Sequence, residues 1–377
     1  MFTAIAAALL VIMALRLVHS SGLIDLAVYR AAGEAVIEGH PFLYAPDFGQ
    51  QTGTFLPFTY PPIAALLAVP LALVPPVVGS VLWTTGGALL LAAYVYSRSA
   101  DFDFVRVMGG AFVAAVCIWT LPVSDTLTLG QLGIFLTLGC IAGCASRSAV
   151  PAMLIGLFAA VKLTPLIFLV YFAITGQWRR LAWASGAFVG LTVAGYFLLP
   201  EETVWFFTGL GNSAERVGDQ AFYANQSIAG ALRRLGIESQ VVWALLSCCV
   251  VAAGLWLARS WYLKGSPVGG AVVVGLTSVL VSPVSWQHHA VWVVPAALLA
   301  YSYAVSTWEK IAIGVLFGVS LLRLPLWVSD WPSNPWLAVL GESLTLTVVG
   351  FLVVLWLIDR RDHQDHQDRQ GSEAAAL

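Results

Sequence analysis

Charge is what this sequence has least of. Only 10% of its 377 residues are Asp, Glu, Lys or Arg, against about 25% in an ordinary soluble domain. So few charges cannot cover a water-facing surface. The formal net charge of −2 excludes a general attraction to nucleic acid. Cysteine is sparse as well. Cys117, Cys140, Cys144, Cys248 and Cys249 all fall inside apolar runs. No His or Asp stands beside them in sequence to complete a metal site, so they read as small buried hydrophobes. There is no Gly-rich phosphate loop and no internal repeat of the kind transporters carry. The N-terminus lacks a basic leader, and Arg16 comes late in its apolar run. Residues 1–20 therefore read as a first membrane helix and not as a cleaved signal.

What is abundant is apolar sequence. Hydrophobic residues make up 59% of the chain, in runs near the roughly 20 residues that a helix needs to cross a bilayer. The expected fold class is an all-α integral membrane bundle with about twelve spans, at 2–18, 78–97, 105–121, 127–145, 149–162, 163–177, 181–199, 240–258, 267–282, 288–305, 308–323 and 341–358. Residues 61–74, bounded by Pro61-Pro62 and Pro75-Pro76, are short for a span and read as re-entrant or interfacial. Lys162 and Pro165 divide 149–177 into two helices. Residues 1–358 then form one membrane domain, and 359–377 a polar, disordered tail.

Lys and Arg favour cytoplasmic loops. With the N-terminus inside, Arg98, Arg106, Arg147, Arg179, Arg180, Arg259, Lys264, Lys310, Arg360, Arg361 and Arg369 lie inside, and Arg30, Arg216, Arg233, Arg234 and Arg323 outside. A layout that makes 61–74 a span and fuses 149–177 moves Arg98, Arg106 and Arg147 outside, and ranks second. The long loops, 19–77, 200–239 and 324–340, all fall on the outer face. Loops of that length are uncommon without a function.

The chemistry-bearing residues sit at the outer ends of spans. Asp25 follows the first span and shares a helix face with Tyr29, four residues on. It reads as a general base or as a cap of an interfacial helix. Arg30 and Glu34 have the spacing of an ion pair. The loop carrying Tyr44 and Phe58-Thr59-Tyr60-Pro61 offers aromatic faces to sugars or anchors the interface. Asp125 begins the stretch to Gly130-Gln131 and is either a rival base or a helix start. Lys162 costs about 2.5–3.5 kcal/mol inside an apolar run. It can meet a phosphate as a point charge or snorkel. Asn225 and Gln226 have side chains suited to sugar hydroxyls, and Trp286 precedes the adjacent pair His288-His289. Arg323 closes a span at the same face.

In this order, Asp25-Leu-Ala-Val-Tyr29, Phe58-Thr-Tyr-Pro-Pro62, Gly130-Gln131, Lys162-Leu-Thr-Pro165, Asn225-Gln-Ser227 and Ser282-Pro283 with Trp286-Gln-His-His289 resemble the actinobacterial GT-C-type glycosyltransferases of family 87. The resemblance runs over roughly residues 20–295. It implies a multi-pass GT-C fold in the plasma membrane, with the site facing the periplasm. It also implies a polyprenyl-phosphate-linked sugar donor, a glycolipid or lipoglycan acceptor and inversion at the anomeric carbon. Mannose is the leading sugar and arabinofuranose the alternative. Asp25 matches the family's base, and His288 or His289 the residue near the donor phosphate. Lys162 and Arg323 are further phosphate-binding candidates by location. Tyr29, Arg30, Tyr44, Tyr60, Gln131, Asn225, Gln226 and Trp286 are substrate-binding candidates. Many GT-C enzymes carry paired acids in the first outer loop, sometimes with a metal. Here Asp25 stands between Ile24 and Leu26, so neither metal nor cofactor is expected.

Overall fold

The protein is described by a computed structural model over residues 23–39, 42–54, 56–209, 217–328 and 335–375. The expected first span, 2–18, with Arg16, and Arg216 lie outside these residues. The principal helices are α1 (Ile24–Glu38), α2 (Pro62–Ala72), α3 (Pro76–Ser99), α4 (Gly110–Trp119), α5 (Leu121–Leu129), α6 (Gly133–Ala145), α7 (Met153–Val161), α8 (Ile167–Ile174), α9 (Trp178–Leu198), α10 (Pro200–Thr208), α11 (Gln240–Leu263), α12 (Pro267–Val281), α13 (Val293–Tyr303), α14 (Thr307–Leu322) and α15 (Ser343–Ala375). There is no named strand among the described residues, so the chain is an all-α membrane protein.

Five segments are long and apolar enough to cross a bilayer: Pro76–Ser99, Trp178–Leu198, Gln240–Leu263, Thr307–Trp327 and Ser343–Gln364. A sixth is the pair α4 and α5, bent by 75°. The expected loop 122–126 is thus helical, and α6 begins at 133, not 127. Thr120 leaves helical dihedrals (φ −53°, ψ 145°), and Pro122 lacks the N–H that a continuing helix would need. Residues 288–305 are likewise not one helix, because a 3-10 segment, Gln287–Trp292, precedes α13. The polar segment after 358, expected to be disordered, continues α15 as helix.

The proline-bounded run forms α2, an 11-residue helix, about 16 Å long at 1.5 Å per residue and too short to span. Its C-terminal carbonyls are satisfied by Arg30, which donates from Nη1 to Leu71 O (2.7 Å) and Val74 O (2.5 Å) and from Nη2 to Ala72 O (3.1 Å). Arg30 also pairs with Glu34 at 2.8 Å. Lys162, at φ −151°, ends α7, and a 3-10 turn at Thr164–Leu166 leads into α8, so 149–177 is two helices. Arg180 joins their far ends by donating to Ser146 O and to Gln177 Oε1. The chain therefore rises through α7 and returns through α8, with Lys162 at the apex.

Helix α12 is the centre of the bundle. Every residue from Gly269 to Thr277 is buried, packed among side chains of α6, α8, α11, α13 and α15. A second apolar cluster joins α1, α2 and the aromatic loop, with Leu43, Tyr44, Phe48, Phe58 and Tyr60 at its heart. Helix α14 separates two polar ends. Near its start Glu309 binds Arg361 at 2.5 Å. Beyond its last residue Arg323 binds Asp125 at 3.3 Å. The 16 residues of α14 make it about 24 Å long.

Gly130 sets the close approach of α1 to the end of α5. It ends α5 at φ +74°, and a Cβ there would lie 2.5 Å from Leu26 Cβ. Gly53 has a similar φ of +70° but open space around it. Gly53→Ala should lose about 1–2 kcal/mol from backbone strain. Gly130→Ala should lose a further ~1–3 kcal/mol from overpacking. Thermal unfolding of the two variants in detergent measures the difference.

Candidate active site

Asp25 occupies the first turn of α1, where the helix dipole favours a carboxylate. It is not the cap: Leu23 holds that position, with no side-chain cap bond. Because Gly130 lets α1 start directly against the end of α5, the Gln131 side chain meets Asp25. The Tyr29 hydroxyl donates to Gln131 Oε1 at 2.9 Å and the Tyr60 hydroxyl at 3.3 Å, while the two phenols meet each other at 2.8 Å. With its oxygen so engaged, the amide turns its N–H group to Asp25, with which it hydrogen-bonds. Burial pushes the Asp25 carboxyl above the ordinary carboxylate range; the Gln131 hydrogen bond and the Lys162 charge oppose this.

Lys162 reaches this group from the hairpin apex. Its Nζ lies 2.8 Å from His289 Nε2 and 5.6 Å from the Tyr60 ring centre, a cation–π distance. The ammonium can only donate, so His289 Nε2 accepts and Nδ1 carries the ring proton. His288 and His289 stand edge to face, ring centres 4.7 Å apart. The 3-10 segment bearing them is fixed by Thr126, whose hydroxyl donates to His288 O at 3.1 Å.

These side chains line one cavity of about 660 Å³, within the size range of small-molecule sites. Asp25, Tyr60, Gln131, Lys162, Trp286, His288 and His289 all face it, which unites the acid, lysine and histidines across the chain. Tyr29 lies behind, as a support for Gln131.

Other candidates have different duties. Arg30 does not line the cavity; it caps α2. Tyr44 stacks on Trp205 (4.5 Å between centres) and donates to Tyr60 O at 2.7 Å, so it braces the loop from beneath. Asn225 and Gln226 are fully buried. Asn225 Oδ1 accepts from Ser285 N at 2.9 Å, and Gln226 Nε2 donates to Gly341 O at 2.8 Å. Asn225 clasps the outer loop to the segment before Trp286 and Gln226 clasps it to the start of α15, leaving no amide for a sugar. Arg323 is bound to Asp125 and Ser124 and is not a cavity residue. Asp125, expected as a helix start or rival base, is the fifth residue of α5 and does line the cavity.

Sequence reasoning passed over Gln287. It is 2% exposed and lines the cavity. Neither its Nε2 nor the Nε2 of His288 has a hydrogen-bond partner among the described residues. A buried polar atom left in that state costs about 1–3 kcal/mol. Its place between Trp286 and His288 was the available signal.

Fold and cavity together define a polytopic helical membrane protein with an acid, a lysine and two imidazoles around a sheltered chamber. The profile of Glycosyltransferase family 87 matches residues 58–283. A polyprenol-phosphate-mannose-dependent alpha-(1-2)-phosphatidylinositol mannoside mannosyltransferase of Mycolicibacterium smegmatis is 32% identical, over 89% of this chain and 84% of that protein. A polyprenol-phosphate-mannose-dependent alpha-(1-2)-phosphatidylinositol pentamannoside mannosyltransferase of Mycobacterium tuberculosis is 33% identical, over 90% and 74%. No solved structure matches the chain. The protein belongs to glycosyltransferase family 87.

The Gln131 amide favours the ionised form of Asp25, so its removal should move the titration further up. Infrared difference titration of the protonated carboxyl should give an Asp25 midpoint above the unperturbed ~3.9, and a higher one in Gln131→Leu.

Proposed function

We propose that the protein transfers mannose from a polyprenyl-phosphate donor to a mannosylated phosphatidylinositol lipid. The observation that carries this reading is the meeting of Asp25 with the Lys162–His289 pair in one cavity. Similarity to mannosyltransferases of that dependence supports the choice of sugar and carrier. Asp25 removes the proton from an acceptor hydroxyl, and the oxygen attacks the anomeric carbon from the face opposite the phosphate. The sugar–phosphate bond breaks with inversion, and its electron pair leaves on the polyprenyl phosphate. Preorganised positive charge at that oxygen lowers the barrier. Lys162, oriented by His289, supplies it, and the Nε2 of His288 is a second group within the cavity.

The orientation is part of the proposal. The protein is a GT-C-type bundle of about twelve spans in the plasma membrane. Its termini and the Lys264–Asp359 and Arg361–Glu309 pairs are cytoplasmic, and its cavity is periplasmic. The clustering of these basic residues at the end of α14 remote from the cavity supports it. A nucleotide sugar is confined to the other face, which favours a donor already in the membrane.

Membranes given radiolabelled polyprenyl-phosphate mannose and extracted phosphatidylinositol mannosides should label the glycolipid. Preference for GDP-mannose, or for a polyprenyl-phosphate arabinose donor, would overturn the assignment. Asp25→Asn should lower turnover by roughly 10²–10⁴-fold; an unchanged rate sinks the role given to Asp25.

The base works ionised, and burial raises its pKa. Turnover should therefore fall as pH drops through a midpoint above the ordinary carboxylate range. A pH profile of the wild type and of Gln131→Leu should place the variant's midpoint higher.

A further inference from the structure

The cavity has a second polar pole that the transfer step does not use. Asp125 and Leu129, four residues apart on one face of α5, both line it. From Asp125 to the end of α5 at Leu129 is about 6 Å of helix, before Gly130 turns the chain to Gln131 beside Asp25, so the carboxylate is set back along the wall from the Asp25 group. Arg323 fixes its orientation at 3.3 Å. The arginine adopts a left-handed conformation, φ 55°, alone among the non-glycine residues described. Backbone strain of this kind persists where surrounding structure over-determines it and clusters at functional positions.

Aromatic rings face the cavity near this carboxylate. Trp286 and Phe222 both line the chamber, edge to face with centres 6.1 Å apart. Tyr223 adjoins Phe222 at 4.4 Å and feels the Asp125 charge. The loop bearing them is anchored from behind, where Arg234 Nε donates to Glu342 at 2.6 Å and Arg234 Nη2 to Asn225 O at 2.9 Å. A fixed carboxylate accepts hydrogen bonds from neighbouring hydroxyls, and aromatic faces cover the apolar side of a pyranose. A lipid tail would find no use for the acid, and a phosphate would be repelled by it.

We propose that Asp125, Trp286 and Phe222 form a subsite for the acceptor glycan, holding the sugar next to the one that carries the reacting hydroxyl. The proposal rests on the mannosyl-transfer reading for the identity of the sugar. The donor's own ring must lie between the phosphate held by Lys162 and the hydroxyl activated by Asp25, so it occupies the other pole. The pole set back along α5 serves the next ring of the acceptor. In this role Asp125 binds and does not take a proton. It selects acceptors that already bear two sugars.

The test is equilibrium binding of a radiolabelled octyl dimannoside and octyl monomannoside to the purified full-length protein in detergent, without donor. The wild type should bind the dimannoside more tightly. Asp125→Ala should weaken dimannoside binding by about 10–100-fold, the value of hydrogen bonds to a charged group, and abolish the preference over the monomannoside. Phe222 is 45% exposed, so Phe222→Ala spares the fold and the Asp125–Arg323 pair. It should reduce the same preference. If the wild type does not prefer the dimannoside, or if both variants keep the preference, the subsite is overturned. If binding behaves as expected while no label moves from polyprenyl-phosphate mannose, the subsite stands and the transfer reading fails.

Discussion

The contact between Lys162 and His289 is the interaction on which the rest of the site depends. An ammonium at the apex of an apolar hairpin costs about 2.5–3.5 kcal/mol against an apolar residue, and the chain tolerates it because a partner waits there. That partner comes from 127 residues further along. Bringing the two together places the α7–α8 turn against the 3-10 segment before α13, and α12 runs buried beside both. The Tyr60 ring adds a third support from the outer loop. One contact thus joins the outer lobe, the hairpin and the centre of the bundle.

Around it, polar side chains divide into those that face the cavity and those that build it. Arg30, Asn225, Gln226 and Arg234 all spend their hydrogen-bonding groups on backbone groups and neighbouring side chains of the protein. In a region poor in water such groups must be satisfied internally, so irregular outer loops need their own polar clasps. The abundance of candidate sugar-binding residues in the sequence reflects this structural demand. An amide that could hold a hydroxyl is equally suited to hold a carbonyl.

Asp25 and Asp125 are a pair of acids in one chamber with different surroundings. Asp25 is half-buried at a helix start and touched by an amide. Asp125 lies within a helix and is bound by a guanidinium. The chamber can therefore keep one carboxyl for proton transfer and the other as a fixed acceptor. The reaction proposed for family 87 at this site asks for that division.

Much was legible from residue order alone. The charge deficit and apolar runs determined a helical membrane protein, and Pro61-Pro62 with Pro75-Pro76 determined a helix too short to span. Lys162 and Pro165 determined the break in 149–177, because charge and a missing N–H both oppose helix continuation. The ordered motifs pointed to the family and to Asp25, Lys162 and the histidines. Tertiary structure alone decided the rest. It turned α5 by 75° away from α4, continued α15 past residue 358, and sorted Arg30, Tyr44, Asn225 and Gln226 into supports while bringing Gln287 to the cavity wall. The reason is physical. Membrane insertion is an additive property of local composition, whereas whether a polar side chain meets a substrate or a carbonyl depends on which distant segment packs beside it.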